Sequence, residues 1–269
     1  MMIPIPSRGQ RFRLRLGVRA SQPFSLVVKG YDADRPNSYY FRRRVPFKAR
    51  LFKGEDKGYK EFSIPLPVSP DLLMLEVYDK VYRDDEGFKI EKLEAEKMEP
   101  SEVWAEPEMH RFMDFALKFA IKAGYSRPGF YDSKSRDFLI EYLPVIKDEE
   151  GYPMITPART NRKTGRIQVS QMHFRQYTIP IRLYILLHER CHYQIPTRKE
   201  KPSDICALKP YLDMGFPETE GVYAATKIFQ AHPETVGPKH ADRVRNIHAF
   251  VDSYIQNKEQ KNTQLETVH

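Results

Sequence analysis

Over the first eighty residues apolar and polar positions alternate. From Arg11 to Arg19, Phe12, Leu14, Leu16 and Val18 interleave with Arg11, Arg13, Arg15 and Arg19, which predicts a strand with one buried face and one arginine face. Further short apolar or aromatic runs cover 24–28, 39–45, 47–52, 61–66 and 72–78, separated by turn residues such as Gly30, Pro36, Asn37 and Pro46. Short strands at this spacing predict an antiparallel β-sandwich or small barrel in residues 1–80. Beyond it the chain turns acidic and poor in apolar residues, with Asp84-Asp85-Glu86 and the run 91–99 ahead of Pro100. Residues 81–106 are therefore expected to be an acidic linker or solvated helix.

From Glu108 the period changes. Met109, Phe112, Met113, Phe115, Ala116, Phe119, Ala120 and Ala123 recur at three- and four-residue steps until Gly124, the pattern of an amphipathic helix with a glycine stop. Two strand candidates follow, 137–146 and 165–170, with a loop or hairpin over 156–165. Thr178 and Pro180 then open a helix whose apolar run leads into His188, and Pro196 closes it. Two more helices are predicted over 217–229 and 240–255, before a polar tail at 257–269. The expected class is α+β: a β-module at 1–80, then a second domain at 107–256 in which a small sheet packs on the helix that carries His188 and His192, with helices after it.

Composition narrows the classes. The chain has 269 residues, 41% of them hydrophobic and 12% aromatic, as a folded protein requires. No uncharged apolar stretch is long enough to span a bilayer, so no membrane partner is expected. The N-terminus has no apolar signal core, which leads to an expectation of a cytoplasmic protein, or a virion component if phage-encoded. The two cysteines, Cys191 and Cys206, form no C-x-x-C pair and are expected to be separate reduced, buried thiols. Residues 1–60 hold 15 Lys and Arg against 4 Asp and Glu. Since the whole chain is +8, its basic character lies at the N-terminal end. Arg42, Arg43 and Arg44, beside Tyr39 and Tyr40, are candidates for contact with nucleic acid or a protein partner. Outward arginines also guard strand edges against unwanted pairing.

The chemistry concentrates in His188-Glu189-Arg190-Cys191-His192. Histidines four apart share a helix face, so both imidazoles can meet one divalent ion. Two imidazoles and one further ligand leave a tetrahedral zinc with a fourth position for water, whose pKa the ion lowers to about 7. Glu189, one residue off that face, can take the proton as water attacks a carbonyl. Cys191 points about 100° away from the ligand face. His232, His240 and His248 fit capping, surface or core roles.

Downstream comes Glu200-Lys-Pro-Ser-Asp204. With it, the C-terminal half resembles the zincin metallopeptidases, and more narrowly the gluzincins. That resemblance implies a zinc peptidase with Glu189 as catalytic base, His188 and His192 as metal ligands, Glu200 as the third, and Asp204 orienting an imidazole. The other zincin branch, with a third histidine soon after the motif, is not matched, since position 198 is Arg198. Pro202 departs from the pattern: with Ser203 as N-cap the helix would start near 203, leaving Glu200 on a loop and making Asp204 the oxygen ligand. Both assignments stay open at the level of sequence. Tyr223 is one candidate for stabilising an oxyanion. The resemblance implies a protein or peptide substrate. A reading from another class is a structural or assembly protein, for instance of a phage particle, that keeps a zincin scaffold and contacts a protein partner or nucleic acid through its basic module.

Overall fold

A computed structural model describes residues 1–53, 57–100, 103, 105–195, 200–227 and 238–266. The chain is mixed α+β. Its strands are β1 (Met2–Ile5), β2 (Phe12–Ala20), β3 (Phe24–Asp32), β4 (Arg35–Phe47), β5 (Tyr59–Leu66), β6 (Leu73–Asp79), β7 (Phe88–Lys97), β8 (Gly129–Asp132), β9 (Leu139–Leu143), β10 (Ala158–Thr160) and β11 (Ile167–Ser170). Its helices are α1 (Pro107–Lys122), α2 (Gln171–Phe174), α3 (Ile179–Gln194), α4 (Glu200–Asp213), α5 (Glu218–Lys227) and α6 (Pro238–Glu266). His232, Arg198, Ile228 and Phe229 lie outside the described residues.

The first seven strands make two antiparallel sheets, in orders β1-β6-β3-β4 and β5-β2-β7. Neither closes into a barrel among the described residues. As the alternation predicts, Phe12, Leu14, Leu16 and Val18 of β2 are buried, in one cluster with Leu26, Val28, Leu75 and Val77 of the other sheet. Phe24 of β3 stacks on Phe88 of β7 with ring centroids 5.7 Å apart.

Several expectations fail here. Gly30 lies inside β3, and Pro36, Asn37 and Pro46 lie inside the long strand β4, so none of them separates strands. Residues 49–52 form a turn of 3-10 helix instead of a strand. More consequentially, Phe88–Lys97 within the expected linker is a ten-residue strand paired along β2. Its acids answer the arginine face: Arg15 Nε lies 2.9 Å from Glu96 and Arg19 Nε 2.7 Å from Glu91. β7 is an edge strand with few buried positions, so its sequence reads as solvated although its backbone is tied in.

The third sheet runs β10-β11-β9-β8, with β11 parallel to β9 and the other pairs antiparallel. The 156–165 segment is the predicted hairpin. Asn161 Oδ1 accepts the backbone N–H groups of Lys163 and Thr164, and Gly165 supplies the φ of +71° that closes the turn.

Helix α3 is buried on nearly all sides, Ile179 through His188 without a break. Arg182, the one charge between Ile179 and Leu187, is fully buried and donates to the carbonyls of Phe174, Ala120 and Arg175. It thereby ties the base of α3 to α1 and α2. At the other end, the Arg190 guanidinium pairs with Glu108 and lies 5.4 Å over Phe112 and 4.9 Å over Phe138. On α6 the buried positions are Arg243, Ile247 and Val251, while His248 is exposed. This helix runs on to Glu266, through most of the expected tail. One apolar cluster extends from β2 to α6.

Candidate metal centre

The order of elements brings the two histidines of α3 against the first turn of α4. Helix α4 starts at Glu200, so Pro202 falls in the first turn, where no intrahelical N–H is needed. That start resolves the geometry of the two acids. Glu200 Oε2 lies 3.3 Å from His188 Nε2 and 3.5 Å from His192 Nε2, and the two Nε2 atoms are 2.9 Å apart. Three donor atoms thus form a small triangle that can hold a metal ion. Ligands about 2.0–2.2 Å from a tetrahedral ion stand roughly 3.3 Å from one another, so two sides match and the His–His side is somewhat short.

Asp204 sits one turn along α4 and reaches the opposite side of the His188 ring. Its Oδ1 is 3.1 Å from Nδ1, at an angle poorer than a hydrogen bond's. Asp204 is held by Arg243 of α6, which donates from Nε to Oδ2 and from Nη2 to Oδ1, both at 2.6 Å, and by the Tyr184 hydroxyl at 3.3 Å. Around His192, Ser203 Oγ and Arg162 Nη2 lie 3.1 and 3.2 Å from Nδ1.

Charge follows from this arrangement. Burial lowers the basicity of His188, but Asp204 and Glu200 outweigh it and raise its pKa to about 9. Burial opposes ionisation of Glu200, yet the two imidazoles and Arg243 hold it well below the usual carboxylate range. Asp204 is likewise depressed, with His188 and Arg243 overcoming its burial. Burial pushes the Tyr184 phenol far up, with Asp204 adding to the shift, so it remains a donor. The two carboxylates thus favour the protonated form of His188, and a metal ion binding there would compete with that proton.

The triangle forms part of the wall of a cleft of about 290 Å³ that is also lined by Glu189, Tyr184, the β10 segment from Thr156 to Thr160, and Ala224 and Ala225 of α5. Thr160 Oγ1 donates to the Glu189 carbonyl at 2.7 Å, fixing β10 against α3. Tyr223 faces a different cleft. Arg42, Arg43 and Arg44 are exposed on β4 and lie outside this cleft, while Tyr40 is buried and unable to stack on a ligand.

The cysteines overturn the expectation of separate thiols. Cys191 and Cys206 form a disulfide, Cα atoms 6.0 Å apart, joining α3 to α4. Cys191 is spent in that bond and takes no part in the donor triangle. The two cysteines' separation of 15 residues hides that proximity in the sequence. Sequence reasoning also missed Arg243, Tyr184 and Arg162. For Arg243 a signal existed, because it stands four residues before Ile247 on the buried stripe of α6.

No helix among the described residues is long and apolar enough to cross a membrane. Comparison with protein-family models, curated proteins and solved structures finds no match.

Proposed function

We propose that this chain is a zinc-dependent metallohydrolase that cleaves amide bonds in a protein or peptide. The observation that carries the reading is the convergence of His188 Nε2, His192 Nε2 and Glu200 Oε2 in a cleft that also presents Glu189. Two imidazoles and a carboxylate are a donor set suited to zinc. When bound, zinc lowers the pKa of water to about 7 and polarises a carbonyl.

The chain's own residues do the rest. Glu189 takes the proton of the attacking water and returns it to the amide nitrogen, so that C–O formation and C–N cleavage leave a carboxylic acid and an amine. Asp204 fixes the ring of His188 from behind, and Ser203 can accept the Nδ1 proton of His192. β10 is one of the two edge strands of its sheet and lines the cleft. An extended peptide can pair with that edge, its scissile bond carried toward the imidazoles. A sheet against α3 with the carboxylate ligand on the next helix agrees with the gluzincin resemblance.

Metal analysis of purified protein should find about one zinc per chain, lost in His188→Ala and His192→Ala. Glu189→Gln should keep the metal and lose hydrolysis of an unfolded protein such as casein. A metal-free native protein would sink the site. A hydrolytically competent Glu189→Gln variant would sink the catalytic assignment, and metal needed only for folding would make the ion structural.

A further inference from the structure

A second and larger cleft, about 680 Å³, lies between the outer face of the first sheet and the segment leading into α3 and α5. Register sets its wall: Arg44 stands beside Val27, which stands beside Tyr78, and Arg42 stands beside Lys29. Arg42, Arg43, Arg44, Lys80 and Arg83 all line it, against one carboxylate, Glu220. The arginines of β2 meet the glutamates of β7. By contrast, among the described residues none of these five cations forms an ion pair; Arg43 donates to Ser63 O and lies over the Phe62 ring, and Arg44 donates to Ser25 Oγ. A smaller cavity of about 370 Å³ continues the surface past Arg42 and Arg83 to the Lys29–Glu76 pair.

We propose that this arginine-lined cleft docks an acidic peptide segment. Its charge calls for an anionic occupant, and concave walls with Tyr177 and Tyr223 give side chains something to enclose. A nucleic acid is the poorer fit. Its phosphates recur at every nucleotide, and along the tract they would meet the Glu76 carboxylate, which already takes up the charge of Lys29. A polypeptide sets acids at intervals and can pass those points with neutral residues.

The cleft also adjoins the metal centre. Ile181 of α3 lines one and Ile185 and His188 the other, all on a single helix face, while Tyr223 and Ala224 are split between them on α5. Ile181 and His188 are about 10 Å apart along the helix, the span of about three extended residues. Resting on the peptidase reading, this places the acidic residues on one side of the cleaved bond and at least three positions from it. The docking itself does not depend on that reading.

The test is fluorescence anisotropy with a fluorescein-labelled glutamate-rich peptide, its glutamine counterpart and oligo-dT, over a range of salt. The glutamate peptide should bind about tenfold or more tighter than the glutamine one, weaken with salt, and lose about tenfold in Arg42→Glu/Arg44→Glu. Arg44→Gln, a milder change, should show a smaller loss in the same direction, and circular dichroism checks that both variants fold. Binding should persist in Glu189→Gln. Equal binding of the two peptides, no response in the arginine variants, or tighter binding of oligo-dT overturns the proposal. Retained acidic-peptide binding without cleavage of any peptide would instead remove the peptidase reading and leave the docking site standing.

Discussion

Arg243 holds Asp204 through two hydrogen bonds of 2.6 Å, and Asp204 in turn faces Nδ1 of His188. A residue on the last helix thus governs an imidazole on the third. The Asp204 carboxylate is 1% exposed, so its charge depends on that fork. Arg243→Met should destabilise the fold by about 3–5 kcal/mol in urea denaturation, because it strands a buried carboxylate. Full stability in this variant would show that the fork holds nothing.

Glu200 and Asp204 should separate in a metal titration. Asp204→Asn keeps the donor triangle and should weaken zinc about 10- to 100-fold against a chromophoric chelator. Glu200→Ala removes a corner and should lower affinity further. The reverse order would exchange their roles.

Arg182 satisfies three carbonyls from a fully buried position. Arg182→Met leaves all three without that donor and should cost about 3 kcal/mol or more, read as a lower melting temperature. A change near zero would mean that water replaces the guanidinium there.

Burial pushes the Glu220 carboxyl up to about 7, against the hydrogen bond from Thr178. Its folded pKa is above the unfolded value near 4.5, so the folded chain retains a proton that the unfolded chain releases. The group's contribution is complete below about pH 4.5 and is lost as pH rises toward 7, by up to about 3 kcal/mol. Glu220→Gln should flatten that part of the stability-against-pH curve. An unchanged slope would place the titration elsewhere.

The disulfide closes a span of 15 residues, for which loss should cost about 3 kcal/mol. Cys191→Ala/Cys206→Ala should unfold at lower urea than the parent, and thiol titration of the native parent should find none free. A native chain with two reactive thiols would contradict the bond.

Where a residue's surroundings follow from period alone, the sequence was sufficient. The alternation of β2, the stripe of α1 and the pairing of His188 with His192 are local, and each appears at its expected place. Partnership across the chain was not legible. β7 looks solvated until Arg15 and Arg19 lie alongside it, and Cys206 is unremarkable until α4 packs on α3. Glu200 needed one further fact, that α4 tolerates Pro202 in its first turn. Spacing puts Arg243 on the buried stripe of α6, one turn before Ile247, but its partner Asp204 follows only from how α6 packs.

The bond between Cys191 and Cys206 brackets His192, Glu200, Ser203 and Asp204 within one covalent ring, leaving His188 a few positions outside it. A single cut in the backbone between His192 and Ile205 would therefore produce two polypeptides still joined through sulfur. The chain could be nicked at its own centre and release neither half, and gel electrophoresis would show the two fragments only after reduction.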